Sequence, residues 1–489
     1  MSTLHQDIQL AQSLVQAGKN AEAESVCVHI LKSYPDHGDA AFLLGIVAMR
    51  QARYRDAVHA FNTCLISRPQ FPEVHSNLGV ALANLGLQNE ALRHFELALS
   101  FCPTFIDAAI NQSKILCEMG REIEASALME PLLQQQPGNI RLLKESAYAW
   151  MRLGRYERAV DRYRRVCQLK PDDADSHWNL ATCELSRGNF LDGWSEYAWR
   201  WKCQSFADFA PKFDIPQWTG ESIHGKRILL NSEQGHGDTI QFIRYASILK
   251  QHGAEVLFHC PPRLETLLSV VEGIDETISI GAPVPECDFR ASLMDLPAIL
   301  GSTLETVPAR VPYLDADPIR IQHWRTILGN NPSCNVGIAW HGSTQNQRNA
   351  ERSIPLIAFA PLASIPGVRI ISLQKGAGSE QLSVAATQFP IEDLAHALDI
   401  GEDAFVDTAA LMKSLDLVVT CDTAIAHLAG ALGIPVWMAI PKVGDWRWMV
   451  DRTDSPWYPT MRIFRQTKMY DWTTPMQFVA NELSHWARR

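Results

Sequence analysis

Ala57-Val-His-Ala-Phe61-Asn-Thr-Cys64-Leu-Ile-Ser-Arg-Pro69 is one rung of a ladder. Its last residue recurs as Pro35, Pro69, Pro103, Pro137 and Pro171, each 34 residues after the one before. Twelve residues ahead of each proline stands Ala23, Ala57, Ala91, Ala125 or Ala159. Eight ahead stands Cys27, Phe61, Phe95, Met129 or Tyr163, and twenty-four ahead Ala11, Gly45, Gly79, Ser113 or Ala147. The small residues predict two helices in close approach, with the larger one filling the groove against the next helix. Proline lacks an N–H and restricts the residue before it, so it ends the second helix. One such pair cannot bury its apolar face alone, and the pairs must stack into a superhelix with a concave surface.

A 34-residue helix–turn–helix period with this pattern resembles the tetratricopeptide (TPR) repeat. The resemblance spans residues 1–205, as five regular units and an atypical sixth. The sixth keeps Leu180-Ala181, Gly193 and Tyr197 but has Ser205 where the proline belongs. Its stretch Gly193-Trp194-x-x-Tyr197-x-Trp199-Arg200-Trp201 is unusually aromatic, which suggests docking onto another domain. Residues 206–222 carry Pro211, Pro216 and Gly220 and read as an irregular connector.

With 489 residues, several domains are expected, and 46% hydrophobic against 20% charged residues describes a globular chain. A net charge of −10 gives no reason to expect nucleic acid as a partner. Met1–Leu14 shows no basic segment followed by an apolar run, and no stretch is apolar for the roughly 18 residues of a membrane span. Eleven cysteines without a CxxC pair argue for free thiols rather than zinc or a disulfide framework. A cytoplasmic protein is the expectation.

Beyond the connector, short apolar runs alternate with helical patterns. Strands are expected at 227–231, 255–260, 276–280, 335–340, 368–373, 415–420 and 435–440. This alternation predicts parallel sheets in two doubly wound halves, 223–313 and 335–489, joined by a linker at 314–334. Ligands of such folds sit at the carboxyl ends of the strands.

Two strand-to-helix junctions carry the candidate site. In Glu233-Gln-Gly235-His-Gly237-Asp238, Gly235 and Gly237 would let the backbone approach a ligand at a helix N-terminus. Asp238 fits two readings, a general base toward an acceptor hydroxyl or an N-cap completed by Gln241. In Asp422-Thr423-Ala424-x-x-His427, Thr423 and free N–H groups suit a phosphate, with His427 a further donor one turn on. Asp422 is equally a helix cap, and His427 equally a satisfied core histidine. Trp446, Arg447 and Trp448 read either as a stacking and pairing surface for a sugar nucleotide or as packing. Asp315-Ala-Asp317 matches a metal-binding DxD pattern but falls in the linker, and no metal is expected.

Gly237-Asp238 and Asp422-Thr423-Ala424-x-x-His427-Leu-Ala429 resemble blocks of the heptosyltransferase-type (family 9) glycosyltransferases of the GT-B fold. So do Val336-Gly-Ile-Ala-Trp-His-Gly342, Arg352-Ser-Ile-Pro-Leu356, Ser372-Leu-Gln-Lys375 and Asp445-Trp-Arg-Trp448. Bacterial proteins that join TPR repeats to such a domain are the closer likeness, over residues 190–489. The resemblance implies a TPR superhelix followed by a GT-B-like domain of two Rossmann-like halves. It implies Asp238 as catalytic base and Arg352, in place of the usual lysine, against the donor phosphate. Gly235, Gly237, Lys375, Asp422, Thr423, Ala424 and His427 would bind the donor. Ala424 stands where the family has glycine, and its ribose-contacting glutamate has no equivalent near Gln374-Lys375. The implied activity is metal-independent, inverting sugar transfer from a nucleotide sugar, with no cofactor. A polypeptide held by the superhelix would be the acceptor at Ser or Thr, flagellin being one that similar bacterial proteins suggest. The alternative is a TPR scaffold with a catalytically idle nucleotide-binding domain.

Overall fold

The computed structural model describes residues 2–329, 334–345 and 348–487. The chain divides into two compact units, Met1–Ser176 and His177–Arg489.

Twelve helices run through the N-terminal part: α1 Ser2–Gln16, α2 Asn20–Ser33, α3 Gly38–Arg50, α4 Tyr54–Ser67, α5 Pro72–Asn84, α6 Gln88–Phe101, α7 Ile106–Glu118, α8 Glu122–Gln135, α9 Ile140–Arg152, α10 Tyr156–Leu169, α11 Ala174–Ser186 and α12 Phe190–Tyr197. Each second helix of a regular pair stops two residues before its proline. The residues just ahead of the prolines, Tyr34, Arg68, Cys102, Gln136 and Lys170, have φ between −140° and −132°. That is the extended backbone a following proline demands.

The bulky residue of the repeat packs against the small one of its own pair as well as joining the apolar cluster of the next helix. Phe61 lies over Gly45 and Phe95 over Gly79, each within its own pair, and a Cβ at Gly79 would meet the Phe95 ring at 2.7 Å. The large side chain and the small one are therefore two halves of one contact. A second ladder joins the helices of each pair. Gly18, Ala52, Gly86, Gly120, Gly154 and Gly188 all have φ between +56° and +84°. The turn requires the left-handed conformation, which glycine adopts freely and alanine does not.

The second unit begins inside α11, not at residue 205. Trp194 and Tyr197 of α12 explain the shift. Both are buried, and with Phe242 and Trp446 they form a cluster of edge-to-face and tilted rings. The aromatic face expected to dock thus belongs to the core of the α/β unit. Ser205 falls in a short 3₁₀ turn, Gln204–Phe209, and the connector ends with Gln217 bridging Arg290 in parallel.

The first sheet contains β1 Arg227–Asn231, β2 Glu255–Cys260, β3 Glu276–Ser279 and β4 Phe289–Ser292, in the order β3-β2-β1-β4. The second contains β5 Cys334–Ala339, β6 Val368–Ser372, β7 Glu392–Asp393, β8 Leu417–Thr420, β9 Val436–Ile440 and β10 Met461–Arg465, ordered β10-β9-β8-β5-β6-β7. All pairings are parallel. From its β7 edge the second sheet runs 3-2-1-4-5-6, the order of doubly wound nucleotide-binding folds, and the first keeps its 3-2-1-4 portion. The chain reverses direction across each sheet at β1/β4 and β5/β8, where a crevice opens at the carboxyl ends.

Strands β4, β7 and β10 were not expected from the sequence. All three lie at sheet edges, where one face or one end is open to solvent and no continuous apolar run is needed. The linker acids have local partners. Asp317 accepts from the N–H of Ile319 at the start of the helix Pro318–Leu328, and Asp315 pairs with Lys413 at 3.1 Å. Residues 330–333 of the expected linker lie outside the described residues. Among the described residues, no helix is long and apolar enough to cross a membrane.

Candidate functional site

The loops leaving β1, β5 and β8 come together, Gly237 against Ala424 and His427, and Arg352 against Asp422 across one pocket. After β1 the chain enters helix α13, His236–Phe242, and after β8 it enters α14, Ala424–Ala431. The two helix starts abut. A Cβ on Gly237 would lie 2.9 Å from His427 Cδ2 and 3.4 Å from Ala424 Cα. Gly237 is therefore small so that α13 can pack on α14, and not only for approach to a ligand.

Asp238 is not the N-cap. Gly235 occupies that position, and Asp238, three residues into the turn, accepts the Gly235 N–H through Oδ2 at 2.9 Å. Its Oδ1 accepts from Arg447 Nη2 at 2.5 Å. Gln241, expected to complete a capping box, instead accepts from Arg447 Nε at 2.7 Å. Arg447 also donates through Nη1 to Asp445 Oδ1 at 2.9 Å and lies over the Trp446 ring at 4.3 Å. The Trp446-Arg447-Trp448 run is thus resolved as packing plus a buried ion-pair network. Trp448 has no exposed surface, and Trp446 and Arg447 show 6% each.

In the β8 loop the cap is Thr423, not Asp422. Ala424 is the first residue of α14. Asp422 sits beside a pocket of about 50 Å³ also lined by Arg348, Arg352, Val443, Gly444 and Asp445. Burial and the Asp445 charge push its carboxyl up to about 6, against the pull of Arg352, the Trp448 indole N–H and Arg447. Arg352 lies at the end of a short helical turn after β5. Gly342 leaves room for its guanidinium, which an added Cβ would strike at 2.5 Å. Its buried Nε has no hydrogen-bond partner among the described residues.

His427 is buried and stacks on Trp448 with ring centroids 5.4 Å apart. Its Nδ1 lies 3.0 Å from the Tyr458 hydroxyl. Burial, then the charges of Arg447, Arg244 and Arg352, hold its pKa well below the usual histidine range. It is neutral, so any donation to a ligand comes from an N–H and not from a cation. Lys375 is turned elsewhere, its ammonium donating to the carbonyls of Leu398 (2.6 Å) and Asp399. Its neighbour Gln374 clamps the β5 loop, accepting from the N–H groups of Trp340 and His341 at 3.1 and 3.0 Å.

A second buried arginine supports the site from behind. Arg200, next to α12, donates to Glu233 at 3.0 and 2.8 Å and to Asp295 at 2.7 Å. Glu233 begins the loop that carries Asp238, and Asp295 follows β4. The sequence holds one signal for it. An arginine between Trp199 and Trp201 must find a carboxylate if it is buried with them.

The fold and site define a TPR solenoid joined to a parallel α/β unit whose polar residues gather at the strand carboxyl ends. A TPR repeat model matches residues 147–182, and a model described as T7SS, ESX-1 secretion system protein EccA1, N-terminal domain, matches residues 2–149. The chain is similar to Protein FlbA of Caulobacter vibrioides, 28% identical over 479 residues that cover 93% of this chain and 79% of that one. It is also similar to Protein O-mannosyl-transferase TMTC1 of Mus musculus, 30% identical over 159 residues. That stretch covers 32% of this chain and only 16% of TMTC1. Among solved structures, YrrB, a TPR protein with an unusual peptide-binding site, is 18% identical with a TM-score of 0.32, over 35% of this chain and 88% of its own. The pilus biogenesis factor PilW is 20% identical with a TM-score of 0.38, over 43% of this chain and 96% of its own.

Proposed function

We propose that the chain is a glycosyltransferase of the GT-B type that moves a sugar from a nucleotide-activated donor to an acceptor hydroxyl, on a polypeptide. One observation carries the reading. The switch-point loops of two Rossmann-ordered sheets converge so that a partly exposed carboxylate, Asp238, is joined through Arg447 to Asp445, a wall of a pocket that Arg348 and Arg352 also line. Guanidinium groups lining a pocket at the carboxyl ends of such strands suit a phosphate. In the reaction, the acceptor oxygen bonds to the anomeric carbon as its proton passes to Asp238. The bond to the nucleotide breaks, and its diphosphate takes up the negative charge beside Arg352 and the start of α14, capped by Thr423. The donor is a substrate; this chemistry calls on no cofactor. The short likeness to TMTC1 lies over a helical-repeat region and supports a glycosylation-related role without supplying transfer residues. Peptide binding by the TPR array would supply the acceptor.

The test is purified protein with a panel of UDP-, GDP-, ADP- and CMP-sugars, followed for donor hydrolysis and for mass gain on candidate acceptor proteins. No turnover and no binding by calorimetry across the panel would sink the reading. A second reading, a nucleotide-binding domain without turnover, is favoured by the engagement of Asp238 with Arg447 and by the acids Glu351, Asp422 and Asp445 lining the same pocket. Binding without transfer would select it.

A further inference from the structure

Arg447 joins the β1 loop helix to the loop of Asp445, and neither the base nor the phosphate role uses it. Its guanidinium spans the seam between the two halves. Nη2 donates to Asp238 on α13 and Nε to Gln241 one turn further along, while Nη1 returns to Asp445 in its own loop. The plane is fixed by stacking on Trp446 at 4.3 Å, with Phe242 at 5.6 Å. With the Gly235 N–H on its other oxygen, Asp238 is held by one group from each half of the unit. A carboxylate oxygen accepts more than one hydrogen bond, and the Asp238 side chain keeps 21% of its surface exposed. It can therefore still receive a proton from a hydroxyl while Arg447 fixes its direction.

We propose that Arg447 is the positioning residue for Asp238. It orients the carboxylate toward the acceptor, so that proton transfer is competent only when the two halves are docked. This rests on the transferase reading above. The Arg447 contact to Asp445, a wall of the Arg352 pocket, further links the placement of Asp238 to the donor side.

The experiment is a double-mutant cycle in the full chain, with Asp238→Asn, Arg447→Gln and the pair, using whichever donor the panel identifies. Arg447→Gln should lower kcat at least tenfold and leave the donor KM within about twofold, because the donor contacts remain. In the Asp238→Asn background the same change should cost nothing more, since the group it positions is gone. Arg447→Lys should restore part of kcat. If Arg447→Gln fails to fold, the cycle is run with Arg447→Lys, which keeps the charge. Independent losses that multiply in the pair, or a kcat unchanged in Arg447→Gln, overturn the proposal. An active wild type unaffected by Asp238→Asn overturns the base assignment and this role with it. A wild type that neither binds nor turns over any donor removes the transferase reading itself, a result distinct from both.

Discussion

Asp422 was read from sequence as a helix cap or phosphate contact, and it proves to be a half-buried acid facing another acid. Its carboxyl, pushed up to about 6 by burial and Asp445, loses its charge below that pH and keeps it above. In a pocket holding Arg348 and Arg352, loss of that negative charge favours an anionic ligand. A nucleotide sugar should bind several-fold more tightly at pH 5.5 than at 7.5, its diphosphate staying ionised throughout. Asp422→Asn should bind with the pH 5.5 affinity at both. Calorimetry decides, and a wild type indifferent to pH refutes the claim. Ala52 is the other residue whose state was invisible from local sequence. At φ +56° it carries a Cβ where the other five turns have glycine, which costs about 1–2 kcal/mol. Glycine also loses more entropy on folding, so Ala52→Gly should stabilise the helical array by about 0.5–1 kcal/mol in denaturant unfolding. The left-handed ladder was legible in principle, because its glycines keep the same 34-residue period as the prolines.

At the scale of elements, the helices and the buried strands are readable, as is the edge strand β3, whereas the edge strands β4, β7 and β10 are not. β1, β2, β5, β8 and β9 are buried runs, whereas β10, Met461-Arg-Ile-Phe-Arg465, alternates and resembles a loop until its neighbour is known. Within the array, α7 to α9 depart from the pattern. Where other pairs place Leu78 and Leu180, these place Gln112 and Ser146, and their buried oxygens lack hydrogen-bond partners among the described residues, as does one of Glu145. Burial raises the Glu145 pKa above 4.5, and Lys114 and Ser113 offset only part of this. The folded state thus binds a proton that the unfolded chain has released, so this term falls as pH rises from 4.5 through the folded value. His94, lowered by burial, works in the opposite sense below 6.5, and Asp173, lowered to about 2, acts only below 3.8. The difference between wild type and Glu145→Gln isolates the acid. The variant should gain stability over wild type at pH 7 and lose that advantage at pH 4.5, in chemical denaturation at each pH. An equal gap at both would exclude the linkage.

For the whole molecule, the proline ladder marks the helical array and carries it to residue 205, whereas the compact units divide at 176/177, inside α11. Periodicity follows the backbone and is silent on which neighbour a helix buries its side chains against. The sixth pair keeps the repeat's turn at Gly188 and its small Gly193, yet its aromatic residues and Arg200 serve the α/β unit. Likewise the site's loops could be found as strand-to-helix junctions, but the arginines that hold them lie far off in sequence, and no local spacing encodes a pairing across 209 residues. Arg200 makes this testable. Its guanidinium is fully buried between Glu233 and Asp295, and removing one member of a buried ionic group leaves uncompensated charge, at a cost of about 3–5 kcal/mol. Arg200→Ala should therefore destabilise the unit from His177 onward even though residue 200 lies within the span that the ladder assigned to the repeats. Hydrogen exchange on the full chain should show protection lost in β1, in the 232–242 loop and helix, and around Asp295, while α3 to α6 keep theirs. Loss confined to the helices, with β1 and its loop unchanged, would return the sixth pair to the array.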